Sequence, residues 1–160
     1  MNIFFLDRDP GECASQHCDK HVCKMIIEYA QLMSTAHRLL DSPYAEHCYK
    51  ATHVNHPCAV WVRSSREHYD WLLKMWRALC FVYSARYGKI HMTEQKMSSI
   101  LLLNPVKDAS GWTDPPQCMP DEFKADDTVD AYRNLYLFGK SFVEWRHSEA
   151  PEWFAMELKG

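Results

Sequence analysis

The chain has 160 residues, 47% hydrophobic and 13% aromatic, enough to fill the core of one domain and to exclude global disorder. Eighteen Lys and Arg against 21 Asp and Glu leave a net charge of −3, which argues against a sequence-independent grip on duplex DNA. With five glycines there is no Gly-rich phosphate loop, and no apolar run reaches the length of a bilayer span.

Asn2–Leu6 reads as a candidate short strand, although no second strand is in sight to pair with it. Its apolar run, Ile3-Phe4-Phe5-Leu6, passes at once into Asp7-Arg8-Asp9, unlike a secretion signal, so a cytoplasmic protein without membrane contact is expected. Asp9-Pro10-Gly11-Glu12 is a helix start: an Asp cap, Pro at the first position and an acid three after the cap. From there to Leu40, Ala14, Cys18, Val22, Met25, Ile26, Tyr29, Met33, Ala36 and Leu40 share one stripe, which predicts a single continuous helix. Asp41-Ser42-Pro43 ends it, and 43–55 form a polar loop. Asn55 is expected to cap a second helix opened by Pro57, with a restart at Ser64, where Ser64 and Glu67 match a capping box, and closure at Gly88. A third helix is expected over Thr93–Leu103. Residues 104–127 carry Pro105, Pro115, Pro116 and Pro120 and form the longest irregular stretch, of the kind that often carries function. Asp127 or Thr128 caps a helix expected to reach Trp145, and Ala150–Met156 add a last turn. The fold class is mainly α: a small single-domain irregular helical bundle spanning 1–160, with a candidate short N-terminal strand.

The seven cysteines are odd in number and contain no CxxC, which argues against a disulfide framework or a four-cysteine zinc site and for small core residues in a reducing compartment. Histidine is the unusual residue, with nine in all. On a continuous helix at about 100° per residue, with His17 at the origin, His21 falls at about 40°, Lys24 at about −20° and Glu28 at about 20°. Lys20 lies to one side. The four form a polar ribbon beside the apolar stripe. Two imidazoles there can divide general base and general acid, and two lysines can neutralise a phosphate. The bland alternative is a solvated face with Lys24 and Glu28 paired. Thr52-His53-Val54-Asn55-His56-Pro57-Cys58 enters the second helix, whose N-terminus favours anions; the alternative is plain capping. In Met119-Pro120-Asp121-Glu122, Asp121 is a candidate base, metal ligand or ribose acceptor, against a capping role. Tyr132 and Arg133 offer a ring to stack on a base and a fork for phosphate, against a Tyr-rich core face with one exposed Arg.

Four blocks, His17-Cys18-Asp19-Lys20-His21-Val22-Cys23-Lys24-Met25, Thr52–Cys58, Met119-Pro120-Asp121-Glu122-Phe123-Lys124 and Ala131-Tyr132-Arg133-Asn134, together resemble a small family of tailed-phage and viral-metagenome proteins. The resemblance runs nearly end to end. Cys23 stands where valine is usual in that family. The resemblance implies a viral protein in a host cytoplasm and raises two themes, nucleic-acid processing and counter-defence against host nucleotide signals.

Four functions are therefore weighed. The first is a small phosphodiesterase acting on a nucleotide or cyclic oligonucleotide, with His17, His21, His56 and Asp121 catalytic and Lys20, Lys24, Thr52, His53, Asn55, Tyr132 and Arg133 binding substrate. No cofactor is required in that reading. The second is a non-catalytic protein that sequesters a nucleotide through the same cations and rings. The third is a DNA base-excision enzyme with a lysine nucleophile. The fourth is a metal-dependent form of the first, with a divalent ion held by His17, His21 and Asp121, or by a set that draws in His53 or His56. A homo-oligomer is also expected, because a domain this small with six Trp can leave an apolar patch for a partner.

Overall fold

The computed structural model describes residues 1–159. Seven α-helices follow one another: α1 Pro10–Ser15, α2 Asp19–Leu39, α3 Pro57–Ser64, α4 Arg66–Tyr87, α5 Met92–Leu101, α6 Thr128–Phe138 and α7 Glu152–Lys159. Short 3-10 turns lie at Ala45–His47 and Asp121–Phe123. The fold is mainly α, and among the described residues it contains no strand. None of these helices is long and apolar enough to cross a membrane.

The expected continuous first helix is two helices. Asp9 caps α1 as its sequence predicts, its carboxylate accepting from the Glu12 N–H at 2.9 Å. The path then breaks over Gln16-His17-Cys18. Arg86 of α4, only 4% exposed, donates to the carbonyls of Ser15 and His17, both at 2.9 Å, and to Asp19 at 3.2 Å. The Ser15 and His17 carbonyls turn toward the guanidinium and away from the helix axis, and the ladder does not run through. The amide of Asp19 turns instead to the carbonyl of Glu144. Leu40, placed on the buried stripe, lies half-exposed beyond the end of α2.

Asn2–Leu6 is not a strand. It is an extended segment threaded through the helices, and Ile3, Phe4, Phe5 and Leu6 are all buried. Its backbone groups are met by side chains: the Phe4 N–H by the Tyr29 hydroxyl, the Phe4 carbonyl by the Cys13 thiol and the Leu6 carbonyl by Arg133. That satisfies buried polar groups without a sheet.

The expected break between α3 and α4 is present one residue later, at Ser65, which is extended. Its hydroxyl directs its one proton to the Glu67 carboxylate or the nearby Gly111 carbonyl rather than capping the backbone. Gly88, with φ 68°, closes α4 in the left-handed conformation glycine favours. The long segment 102–127 is pinned, not loose. Trp61 donates to the Thr113 carbonyl, Arg66 to that of Val106, and Gln117 both donates to and accepts from Ala125. The sixth helix, capped by Asp127, stops at Phe138 rather than Trp145. Gly139 sits so close to Leu135 and Phe123 that an added Cβ would fall 2.8 Å from the Leu135 side chain. Beyond it the chain crosses back to the α1–α2 break, where Trp145 donates to the Gln16 carbonyl and Asp19 accepts from the Arg146 amide.

Packing places α2 against α3, α4 and α5, while α1 rests on α4 and α6 closes over the Asp121–Phe123 turn. Phe4 stacks on His21 of α2, with Tyr132 and Tyr136 of α6 on its other sides. The N-terminal segment is thus the axis about which the early helices and α6 are arranged.

Candidate anion-binding cleft

A cleft of about 260 Å³ opens where the start of α2 meets the chain after α6, with Phe4, Lys20, His21, Lys24, Lys140 and Phe142 on its walls. Lys20 and Lys24 project from α2; Lys140 and Phe142 arrive because α6 stops early. The Lys20 ammonium lies 4.2 Å and that of Lys140 5.4 Å from the Phe142 ring centre. Burial, and then the neighbouring charge of Lys24, pushes the Lys140 ammonium below its ordinary pKa. One acid answers these cations. Glu28 lies 3.6 Å from Lys24 through Oε2 and 3.3 Å from the Met1 amino group through Oε1, and its Oε2 is buried with no hydrogen-bond donor.

His21 forms the floor. Its Nδ1 lies 2.7 Å from the Tyr136 hydroxyl, whose oxygen also accepts the Cys18 N–H. The Tyr136 hydroxyl can donate to His21 Nδ1, and in that tautomer the hydrogen sits on Nε2. That nitrogen has no partner among the described residues. In that tautomer the cleft receives a neutral N–H donor. Burial, followed by the charges of His17 and Lys140, holds the His21 pKa down to about 2, so the ring stays uncharged near neutrality.

His17 is equally neutral but closed off. Its Nδ1 lies 2.8 Å from the Cys13 carbonyl and its Nε2 2.7 Å from the Tyr29 hydroxyl. A carbonyl only accepts, so Nδ1 carries the hydrogen and Nε2 accepts from Tyr29. Burial lowers its pKa to about 4. Fully buried and with both nitrogens spent, His17 cannot exchange a proton with a substrate. The ribbon of His17, His21, Lys24 and Glu28 is corrected accordingly: the break at 16–18 turns His17 inward, and three of the four remain on the cleft.

The other sequence-chosen residues lie elsewhere. His56, not Asn55, caps α3, its Nδ1 accepting from the Cys58 N–H at 3.1 Å. His53 has a left-handed backbone with φ 48° and bonds its neighbour Thr52, and Thr52 is tied to Thr35 of α2. Asp121 is 96% exposed and paired with Lys124 at 2.9 Å. Tyr132 is buried, donating to the Pro116 carbonyl. Arg133 donates to the Leu6 carbonyl at 2.9 Å, faces Asp7 and lies 5.1 Å from the Trp153 ring. None of these lines the cleft.

No protein family, curated protein or solved structure matches the chain.

Two larger depressions carry less chemistry. One of about 590 Å³ sets Arg133 among Glu12, Glu149 and Glu152, a surface unfavourable to anions. Another of about 740 Å³ lies along α4 and α5 beside Phe81, Ile90 and Leu102. For a metal, the set of His17, His21 and Asp121 is not brought together. The one group of three His, Cys, Asp or Glu donors that converges among the described residues is His56, Cys58 and Cys118, with donor atoms within 4.8 Å of one another.

Lys140, Phe142 and Phe4 escaped the sequence reading. Lys140 and Phe142 fall in a segment that periodicity assigns to the inside of a helix, and Phe4 reads as strand core. The one usable signal was Gly139, a residue that disfavours helix interiors and marks helix ends.

Proposed function

We propose that the protein binds the phosphate of a nucleotide-class ligand in the Lys20–Lys24–Lys140 cleft. The observation that carries this reading is the convergence of three ammonium groups and one neutral imidazole N–H on a single small cavity with one opposing carboxylate. A phosphate oxygen accepts from the His21 N–H, and the three lysines neutralise its charge while the phosphate relieves their mutual repulsion. A cavity below the roughly 300–1,000 Å³ of drug-sized sites encloses the phosphate-bearing end and leaves the rest of the ligand at the rim, where Phe142 offers a ring edge.

Sequestration follows more directly from this geometry than two-histidine catalysis, because His17 is sealed and His56 serves a cap elsewhere. Hydrolysis of a nucleotide or cyclic oligonucleotide phosphodiester stands as the second reading through one specific feature. The Glu28 carboxylate on the cleft wall can draw a proton from a water while His21 and the lysines hold the developing charge. A viral counter-defence role fits either outcome. A base-excision reaction finds less support, since the ammonium pushed lowest lies in a cleft sized for a phosphate end.

The test is a binding titration against inorganic phosphate, mononucleotides and cyclic oligonucleotides, with the ligand recovered afterwards. Lys140→Ala is expected to weaken the best ligand by about tenfold or more, the range of one hydrogen bond to a charged group. Lys124→Ala, outside the cleft, should leave it unchanged. Intact ligand supports sequestration, and cleaved ligand supports hydrolysis. Absence of binding across the panel, or equal effects of the two variants, overturns the reading.

A further inference from the structure

We propose that His56, Cys58 and Cys118 form a binding site for a thiophilic d10 cation of the Zn²⁺ type. The residues come from distant parts of the chain. His56 and Cys58 flank the first residue of α3, and Cys118 lies in the long segment before the Asp121–Phe123 turn. Three anchors hold that segment beside α3: the Trp61 indole of α3 donates to the Thr113 carbonyl, the Asn2 amide of the N-terminal segment to the Cys118 carbonyl at 2.8 Å, and the Cys118 N–H to the Tyr132 hydroxyl of α6. Cys118 is therefore positioned by contacts that do not use its sulfur.

The spacing matches a metal better than a disulfide. The two sulfurs are 3.8 Å apart. Two sulfurs at about 2.3 Å from a tetrahedral zinc subtend about 3.8 Å, whereas a disulfide requires about 2.05 Å. The donor set is two thiolates and one imidazole, which selects zinc or copper(I) over magnesium or calcium. Cys58 is buried, while Cys118 and His56 are half-exposed, so an ion has a path in. Binding releases two thiol protons to solvent and diverts the imidazole lone pair from the Cys58 amide to the metal. The ion then fixes the start of α3 in place of the cap. Three protein ligands leave one tetrahedral vertex for water or an outside ligand. None of the three lines the cationic cleft, so this site stands or falls independently of the phosphate reading.

Reduced, metal-free, untagged full-length protein is titrated with Co²⁺ and then Zn²⁺. One equivalent of Co²⁺ should give tetrahedral d–d bands and thiolate-to-cobalt charge transfer, both abolished by one equivalent of Zn²⁺. Cys118→Ser should remove about half of the charge transfer and weaken Zn²⁺ by more than the roughly 100-fold that loss of an outer-shell partner can cost. His56→Asn keeps a good capping residue and should weaken Zn²⁺ while leaving the fold intact by circular dichroism. Should Cys118→Ser fail to fold, the His56→Asn titration and the rise in melting temperature of the unaltered chain with Zn²⁺ decide the matter. The proposal is overturned by a cobalt spectrum without charge transfer, by unchanged affinity in the variants, or by a reduced protein that binds no metal. A Cys58–Cys118 disulfide formed under mild oxidation, without metal binding when reduced, also overturns it and makes the pair a redox couple.

Discussion

His17 and His21 stand four residues apart, both buried and both neutral, yet only one can meet a ligand. The difference is their hydrogen-bond partners. His17 donates to a carbonyl and accepts from Tyr29, so nothing remains. His21 spends one nitrogen on Tyr136 and keeps a donor for the cleft. Tyr136→Phe tests this at the level of one proton. Losing the hydroxyl removes what fixes the His21 tautomer and leaves the Cys18 N–H, fully buried with its residue, without its acceptor. Ligand affinity should fall by about fivefold to tenfold, the worth of one ordinary hydrogen bond, and unfolding should also become easier. Unchanged affinity in a titration of this variant would sink the donor role of His21. The same partner logic explains most of the histidines. In His37 the Tyr69 hydroxyl, which donates to Leu101, accepts from Nε2, and Ser42 lies 2.7 Å from Nδ1. In His68 Nδ1 faces the Trp61 carbonyl at 2.8 Å, and Nε2 accepts the Thr113 amide. His56 and His91 cap α3 and α5 through Nδ1. The abundance of histidine was plain in the composition, but its structural use was not, because a ring's role depends on partners as far as 115 residues away.

The break between α1 and α2 decides which side chains face the cleft, and it rests on Arg86. Arg86→Met keeps the apolar stem but frees the Ser15 and His17 carbonyls and leaves Asp19 half of a nearly buried pair. Removing one partner of such a pair costs about 3 kcal/mol, read as a lower denaturant midpoint. Faster amide exchange over Asp19–Val22 and weaker ligand binding should accompany it, because the start of α2 carries Lys20 and His21. Unaltered exchange there would place the cause of the break elsewhere. Helix identity and most caps were legible from local chemistry: Asp9, Asp127 and Gly88 act where the sequence puts them. Two boundaries were not. The continuous stripe through Gln16–Cys18 is a true pattern overridden by a guanidinium bonded to carbonyls 69 and 71 residues away, and α6 ends seven residues before Trp145, where the following chain caps α2.

Across the molecule, the buried histidines make stability depend on pH. Burial lowers the pKa of His17 to about 4 and that of His21 to about 2, and it lowers His37 and His68 as well. The unfolded chain, with histidines near pKa 6.5, takes up protons first as pH falls. Stability is therefore complete above pH of about 6.5 and declines below it, and His17 alone costs about 3 kcal/mol by pH 4. Denaturant midpoints at pH 7.5, 6 and 5 should fall in that order, and a flat profile would contradict the neutral, buried state of these rings. Ligand affinity should show no matching rise below pH 6.5, since His21 binds as a neutral donor. The amino-acid order alone settled that this is a helical protein and where most of its helices begin, because periodicity and capping act over a few residues. Where the cleft lies was decided only by the assembled fold: Lys140 and Phe142 join Lys20, His21 and Lys24 across more than a hundred residues. Charge and hydrogen-bonding partners converge in space through packing, and no pattern of neighbours along the chain encodes that distance.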